Sequence, residues 1–151
     1  MKTLTKISLA ALSLAACSLV QADTATSSIQ LSLTIPKLCT IDNPTKNVVV
    51  PTSGAAATAA YKVTCNTGYT LTTSTANYAA SSSNLVSGSN KVPTLVVTRD
   101  PSGKDLNVND SAKYAGSNVD TFTMSVKAKQ AVSAIQTAGS YKDTYSVLVT
   151  Y

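Results

Sequence analysis

Ile29-Gln30-Leu31-Ser32-Leu33-Thr34-Ile35 alternates an aliphatic with a polar residue at every step. A period of two sends four aliphatic side chains to one face of an extended chain and three polar ones to the other, which is how a half-buried β-strand reads. Pro36 ends the run, because proline has no N–H for a sheet ladder. On pattern alone this is an ordinary first strand pairing within its own sheet.

The same period recurs downstream. Tyr61, Val63 and Cys65 alternate with Lys62 and Thr64, and after the Asn66-Thr67-Gly68 turn Tyr69, Leu71 and Thr73 continue it. Val48-Val49-Val50 before Pro51 and Leu95-Val96-Val97 read as two further short strands. Phe122, Met124, Val126 and Ala128 alternate with Thr123, Ser125, Lys127 and Lys129. The sequence ends in Tyr145, Val147, Val149 and Tyr151 interleaved with Ser146, Leu148 and Thr150. Ser, Thr, Val and Ala dominate these segments, and β-branched residues suit a pleated surface. Asp100-Pro101-Ser102-Gly103 is turn chemistry, Asn77 to Asn90 reads as a loop, and Ala131 to Ala134 allows one helical turn at most. Short alternating strands divided by Gly, Pro, Asn and Ser predict an all-β fold, an antiparallel sandwich in one domain.

Upstream of Ile29 the sequence changes character. Lys2 and Lys6 precede an unbroken small and apolar run, Ile7 to Val20, closed by Val20-Gln21-Ala22. A basic start, a short apolar centre and a small-x-small site predict a secretory signal peptide over residues 1–22. Leu14-Ala15-Ala16-Cys17 resembles a bacterial lipobox, so lipidation at Cys17 is the competing reading, with an outer-membrane lipoprotein as its product. Cleavage after Ala22 removes Cys17 and leaves Cys39 and Cys65, the even count that an oxidising compartment favours. A Cys39–Cys65 bond is worth roughly 3.5 kcal/mol in loop entropy; the alternative is a pair of free buried thiols.

Composition narrows the function. The 151 residues are 44% hydrophobic and 13% charged, with no His, no Trp and no Glu; every acid is Asp, and Arg99 is the sole arginine. Without His or Glu the commonest general bases and zinc ligand are missing. The sequence also holds no GxSxG, SxxK, HExxH, CxxC or glycine-rich phosphate loop, so an enzyme is not expected, nor a catalytic residue, metal or cofactor. Asp100 and Asp105 lack the alternating oxygen ligands of a calcium loop. Asp110 and Asp120 read as solvated or turn-capping. Subtracting the two leader lysines from the net charge of +5 leaves +3, spread over single lysines, which is no track for nucleic acid. Of seven tyrosines, Tyr61, Tyr69, Tyr145 and Tyr151 fall in apolar phase on strands, whereas Tyr78 and Tyr114 fall in loops and are the candidates for ligand contact. No small-molecule substrate is expected.

Three segments carry a family resemblance. Ile29 to Ile41 (Ile-Gln-Leu-Ser-Leu-Thr-Ile-Pro-Lys-Leu-Cys-Thr-Ile) resembles the N-terminus of a pilin of the spore coat protein U family. Tyr61-Lys-Val-Thr-Cys65-Asn-Thr-Gly68-Tyr69 is similar to that family's second-cysteine segment, and the ending Gly139-Ser-Tyr141-Lys-Asp143 through Tyr151 resembles its terminal strand. Residues 76–120 match the pattern poorly. The family supplies the subunits of archaic (Csu-type) chaperone–usher pili. The resemblance implies an incomplete immunoglobulin-like sandwich, six strands where seven are needed, over residues 37–151. It implies a donor-strand extension over 23–36, with Ile29, Leu31, Leu33 and Ile35 as donor residues, although Ile35 also fits a first internal strand. Phe122, Met124, Val126, Tyr145, Val147 and Val149 would then line the acceptor groove, and Tyr145 to Tyr151 would be the edge a chaperone pairs with. The implied partners are a periplasmic chaperone, an outer-membrane usher and neighbouring pilin subunits. The implied role is a fibre exported through the periplasm to the cell surface for adhesion and biofilm formation. With 129 residues left after the leader, a rod or minor subunit is expected rather than a two-domain tip adhesin. The alternative is a self-complete secreted or lipid-anchored sandwich acting as a coat or ligand-binding protein.

Overall fold

The computed structural model describes residues 24–43 and 45–151. The signal peptide and Cys17 readings lie outside the described residues. The chain divides into two units, Met1–Thr34 and Ile35–Tyr151. In the first, residues 24–34 are exposed and have no regular secondary structure, so the strand expected over Ile29–Ile35 is not formed here. The period-two pattern supplies a face, but a strand also needs a neighbouring ladder.

The second unit holds nine antiparallel β-segments and no helix among the described residues: β1 (Cys39–Asp42), β2 (Ala57–Cys65), β3 (Tyr69–Thr75), β4 (Ser83–Ser87), β5 (Asn90–Arg99), β6 (Asp105–Asn107), β7 (Ser111–Tyr114), β8 (Asn118–Ala128) and β9 (Tyr145–Thr150). The larger sheet runs β1-β2-β8-β5-β4, with β6 pairing the far end of β5; the smaller runs β7-β3-β9. Alternation explains the packing. Tyr61, Val63 and Cys65 of β2 and Phe122, Met124, Val126 and Ala128 of β8 point inward, and Tyr69 and Leu71 of β3 meet them from the other sheet. The Tyr61 and Phe122 rings stack with centroids 5.4 Å apart, and Tyr114 meets Phe122 edge-on at 5.1 Å. The fold class is therefore as expected, an all-β antiparallel sandwich.

Several sequence expectations are corrected. Six strands were expected and nine segments form. Residues 77–90 are not merely a loop, because β4 lies within them and pairs β5. Its two buried residues are Ser83 and Asn84, on opposite faces of the strand, and both are held by hydrogen bonds rather than apolar bulk. Ser83 Oγ bonds Thr75 Oγ1 at 2.8 Å, and Asn84 Nδ2 donates to the carbonyls of Asn77 and Ser82. Val48–Val50 is not a strand; Val48 and Val50 still tuck against the Val96, Met124 and Val126 cluster without a ladder. Tyr114 ends β7 and stacks on Tyr69, which removes it as a ligand-contacting loop residue. Asp120 is half-buried and accepts the Tyr69 hydroxyl at 2.5 Å instead of facing solvent. Asp110 caps a turn as expected, accepting from the Asn107 N–H.

Turn chemistry holds both ends of the β2–β3 connection. Gly116 has φ +73°, and a Cβ there would collide with the Thr67 carbonyl oxygen, so no other residue fits. The neighbouring Ser117 N–H donates to the Cys65 carbonyl at 2.6 Å.

Candidate functional site

The sheets are unequal, and the inequality falls on one edge. β9 pairs β3 along Tyr145 to Thr150, and its other edge has no partner strand among the described residues. Tyr145, Val147 and Val149 lie opposite Thr75, Thr73 and Leu71, so they share the interior face of the smaller sheet. Burial alternates along β9, with these three half-buried and Ser146, Leu148 and Thr150 exposed.

The facing wall belongs to the larger sheet. Register pairs Cys39 with Cys65 and Ile41 with Val63, which puts Ile41 on the interior face. Val63 is fully buried there, yet Ile41, on the edge strand of the larger sheet, is 44% exposed. Val48, Val50, Ala57 and Ala59 are likewise half-covered and pack on the same buried cluster as Tyr145. Val48, Val50, Ala57, Ala59 and Tyr145 together border an apolar groove, and the second edge of β9 beside it has no partner strand among the described residues. Met124 and Val126 are buried at its base, and Phe122 is deeper still, fully enclosed between Tyr61 and Tyr114. Beyond Tyr145 lies a mostly apolar cleft of about 530 Å³, lined among others by Val48, Val50, Leu85, Val92 and Tyr141.

The polar groups under the groove hydrogen-bond one another. The Tyr145 hydroxyl lies 2.6 Å from Thr98 Oγ1 and 3.3 Å from the Tyr61 hydroxyl. Burial raises the pKa of both phenols; at Tyr145 the bonds to Thr98 and Tyr61 offset part of the rise. Both therefore stay neutral at physiological pH. At the other end burial, with Asp100 nearby, pushes Tyr114 up to about 12. Asp100 itself sits in its turn: burial pushes its carboxyl up, but bonds from the Ser102 side chain, the Lys104 and Ser102 N–H groups and Tyr114 outweigh this and hold it below the usual range. Asp105 pairs with Arg99 at 2.8 Å. Among the described residues no three metal-ligating side chains cluster. What the site offers is a dry surface and an unpaired strand edge, which is an arrangement for binding an extended peptide.

Each residue singled out by sequence has a definite place. Cys39 and Cys65 are bonded, with S–S 2.04 Å, as a cross-strand pair joining β1 to β2. Ile29, Leu31 and Leu33 are 84%, 93% and 85% exposed in the N-terminal unit, and Ile35 is 71% exposed at the start of the β unit. Tyr145, Val147 and Val149 border the groove. Sequence reading missed Val48 and Val50 as its second wall; the Val48–Val50 run before Pro51 was the available signal.

No family model matches the chain, and no curated protein matches it. A solved structure does. It is the CsuC–CsuE chaperone–tip adhesion subunit pre-assembly complex from archaic chaperone-usher Csu pili of Acinetobacter baumannii, matched with a TM-score of 0.55 at 16% identity. The match covers 78% of this chain and 40% of the matched chain, so the present sequence spans well under half of its counterpart's length. At that identity the likeness is one of fold: the antiparallel sandwich described above also occurs in that complex.

Proposed function

We propose that the chain is a structural pilus subunit that polymerises by strand donation, with residues 1–22 as leader, 23–36 as donor extension and 37–151 as acceptor domain. The observation that carries this reading is the β9 edge, unpaired among the described residues, above a half-covered aliphatic groove, in a chain that also has four unpaired, alternating aliphatics ahead of Cys39. An edge of this kind is an aggregation hazard unless something fills it. Ile29, Leu31, Leu33 and Ile35 of a neighbouring copy supply a complementary face, and the donor's main chain completes the β9 ladder. Four aliphatic side chains at roughly 1.5–3 kcal/mol each give about 6–12 kcal/mol of gross burial, reduced by the cost of association and ordering.

Tyr145, Val147 and Val149, over Met124, Val126 and Phe122, make the acceptor side in this reading, joined by Val48 and Val50. Donation from one end of a subunit to the side of the next does not close on itself, so it builds a filament. Before assembly a periplasmic chaperone pairs with the β9 edge, an outer-membrane usher exports the subunit, and the fibre serves adhesion and biofilm formation at the cell surface. The fold shared with a chaperone–usher pilus complex supports this reading. The role is non-enzymatic.

The test is periplasmic expression of Pro36–Tyr151 with and without a synthetic Ser27–Ile35 peptide. The expected product is unstable alone and rescued by the peptide, while a Leu33→Asp peptide fails because it forces a charge into a dry groove. A truncated chain that is a stable monomer and ignores the peptide would overturn the proposal in favour of a self-complete sandwich.

A further inference from the structure

The ladder between β1 and β2 ends at the disulfide pair, because after Cys65 the main chain turns away toward β3. Beyond the pair, one main-chain bond remains among the described residues, from the Asn66 N–H to the Leu38 carbonyl. One side chain takes over there. Asn66 Oδ1 accepts the Leu38 N–H at 2.8 Å, its Nδ2 donates to the Pro36 carbonyl at 2.8 Å, and its own N–H donates to the Leu38 carbonyl at 3.1 Å. A carboxamide carries the same donor and acceptor as a peptide group, so the Asn66 side chain pairs the Leu38 N–H and the Pro36 carbonyl as a neighbouring peptide unit would.

Burial contributes little at this place. Pro36, Lys37 and Leu38 are all exposed, so the polar clamp and the adjacent Cys39–Cys65 bond hold them. Asn66 is itself fixed from behind, through the Ser117 bond to the Cys65 carbonyl and the close approach of Gly116 to Thr67. We infer that Asn66 is a positioning residue that locks Pro36–Leu38 as a rigid stem leading into β1. The chemistry is specific: aspartate keeps the acceptor for Leu38 but has no donor for Pro36, and alanine has neither. The inference stands apart from the donor-strand reading, since the stem is defined by contacts within the β domain.

The test uses the oxidised full secreted chain and NMR. In Asn66→Ala the Leu38 amide should exchange at least about five-fold faster, the loss expected for one exposed hydrogen bond, while the Val63 and Phe122 amides keep their rates. In Asn66→Asp the Leu38 rate should stay within about two-fold of the parent, while the Pro36 carbonyl carbon shift moves as it does in the alanine variant and the Lys37 amide order parameter falls. An unchanged Leu38 rate in Asn66→Ala would overturn the inference. So would a rise that Val63 and Phe122 share in proportion, which would mark Asn66 as a general stabiliser of the sheet, and so would an unmoved Pro36 carbonyl in Asn66→Asp.

Discussion

Asp100 shows how one residue's surroundings fix its response to acid. Its carboxylate closes the Asp100–Gly103 turn through Ser102 and Lys104 and reaches Tyr114 at the end of β7. A carboxyl held below its ordinary value of 3.8 contributes stability that is fully present above that value and is lost as pH falls through the folded pKa. Thermal melts of the parent should therefore fall more steeply below about pH 4 than those of Asp100→Asn, whose amide oxygen still accepts the turn bonds but does not titrate. Parallel melting curves for the two proteins across that range would contradict this assignment. Turn chemistry was legible at Asp100 from the Pro-Ser-Gly that follows. The partnership of Tyr69 with Asp120 was not, because it joins residues 51 positions apart.

At the scale of the element, a strand's place in its sheet decides what its side chains are worth. Leu71, at the middle of β3, is fully enclosed between β7 and β9, whereas Val147 on β9 points inward with one flank uncovered. Leu71→Ala should cost about 2–5 kcal/mol of unfolding free energy. Val147→Ala should cost about 1 kcal/mol or less in the free chain, since only part of its area is removed from water, and more once a Ser27–Ile35 peptide is bound. Urea titrations of both variants with and without peptide measure this; equal losses for Val147→Ala in the two states would argue that the peptide does not lie over it. Alternation made β2, β3, β8 and β9 readable, whereas β5 was read only at its Leu95–Val97 run, because Thr94 and Thr98 share its inward face with Val92 and Val96. β4 escaped because Ser83 and Asn84 bury polar atoms, and β6 and β7 because three or four residues show no period. The β9 wall of the candidate groove was legible for the same reason that β9 was. The Val48 and Val50 wall was hidden, because these residues pack on the core without forming a strand.

Across the whole molecule, the disulfide joins the junction of the exposed N-terminal residues to a strand paired on both sides. Opening it with Cys39→Ser and Cys65→Ser together should lower stability by roughly 3.5 kcal/mol, the chain-entropy value for a loop of this length, read as a lower guanidinium midpoint; unchanged midpoints would show that the bond constrains nothing the sheet does not already hold. Its position has a mechanical consequence. Tension applied at Pro36 bypasses the four residues of edge strand β1, crosses the sulfurs at Cys39, and enters β2 at Cys65, where nine paired positions bind it to β8. A pull along that route meets a long ladder instead of a short edge that peels bond by bond.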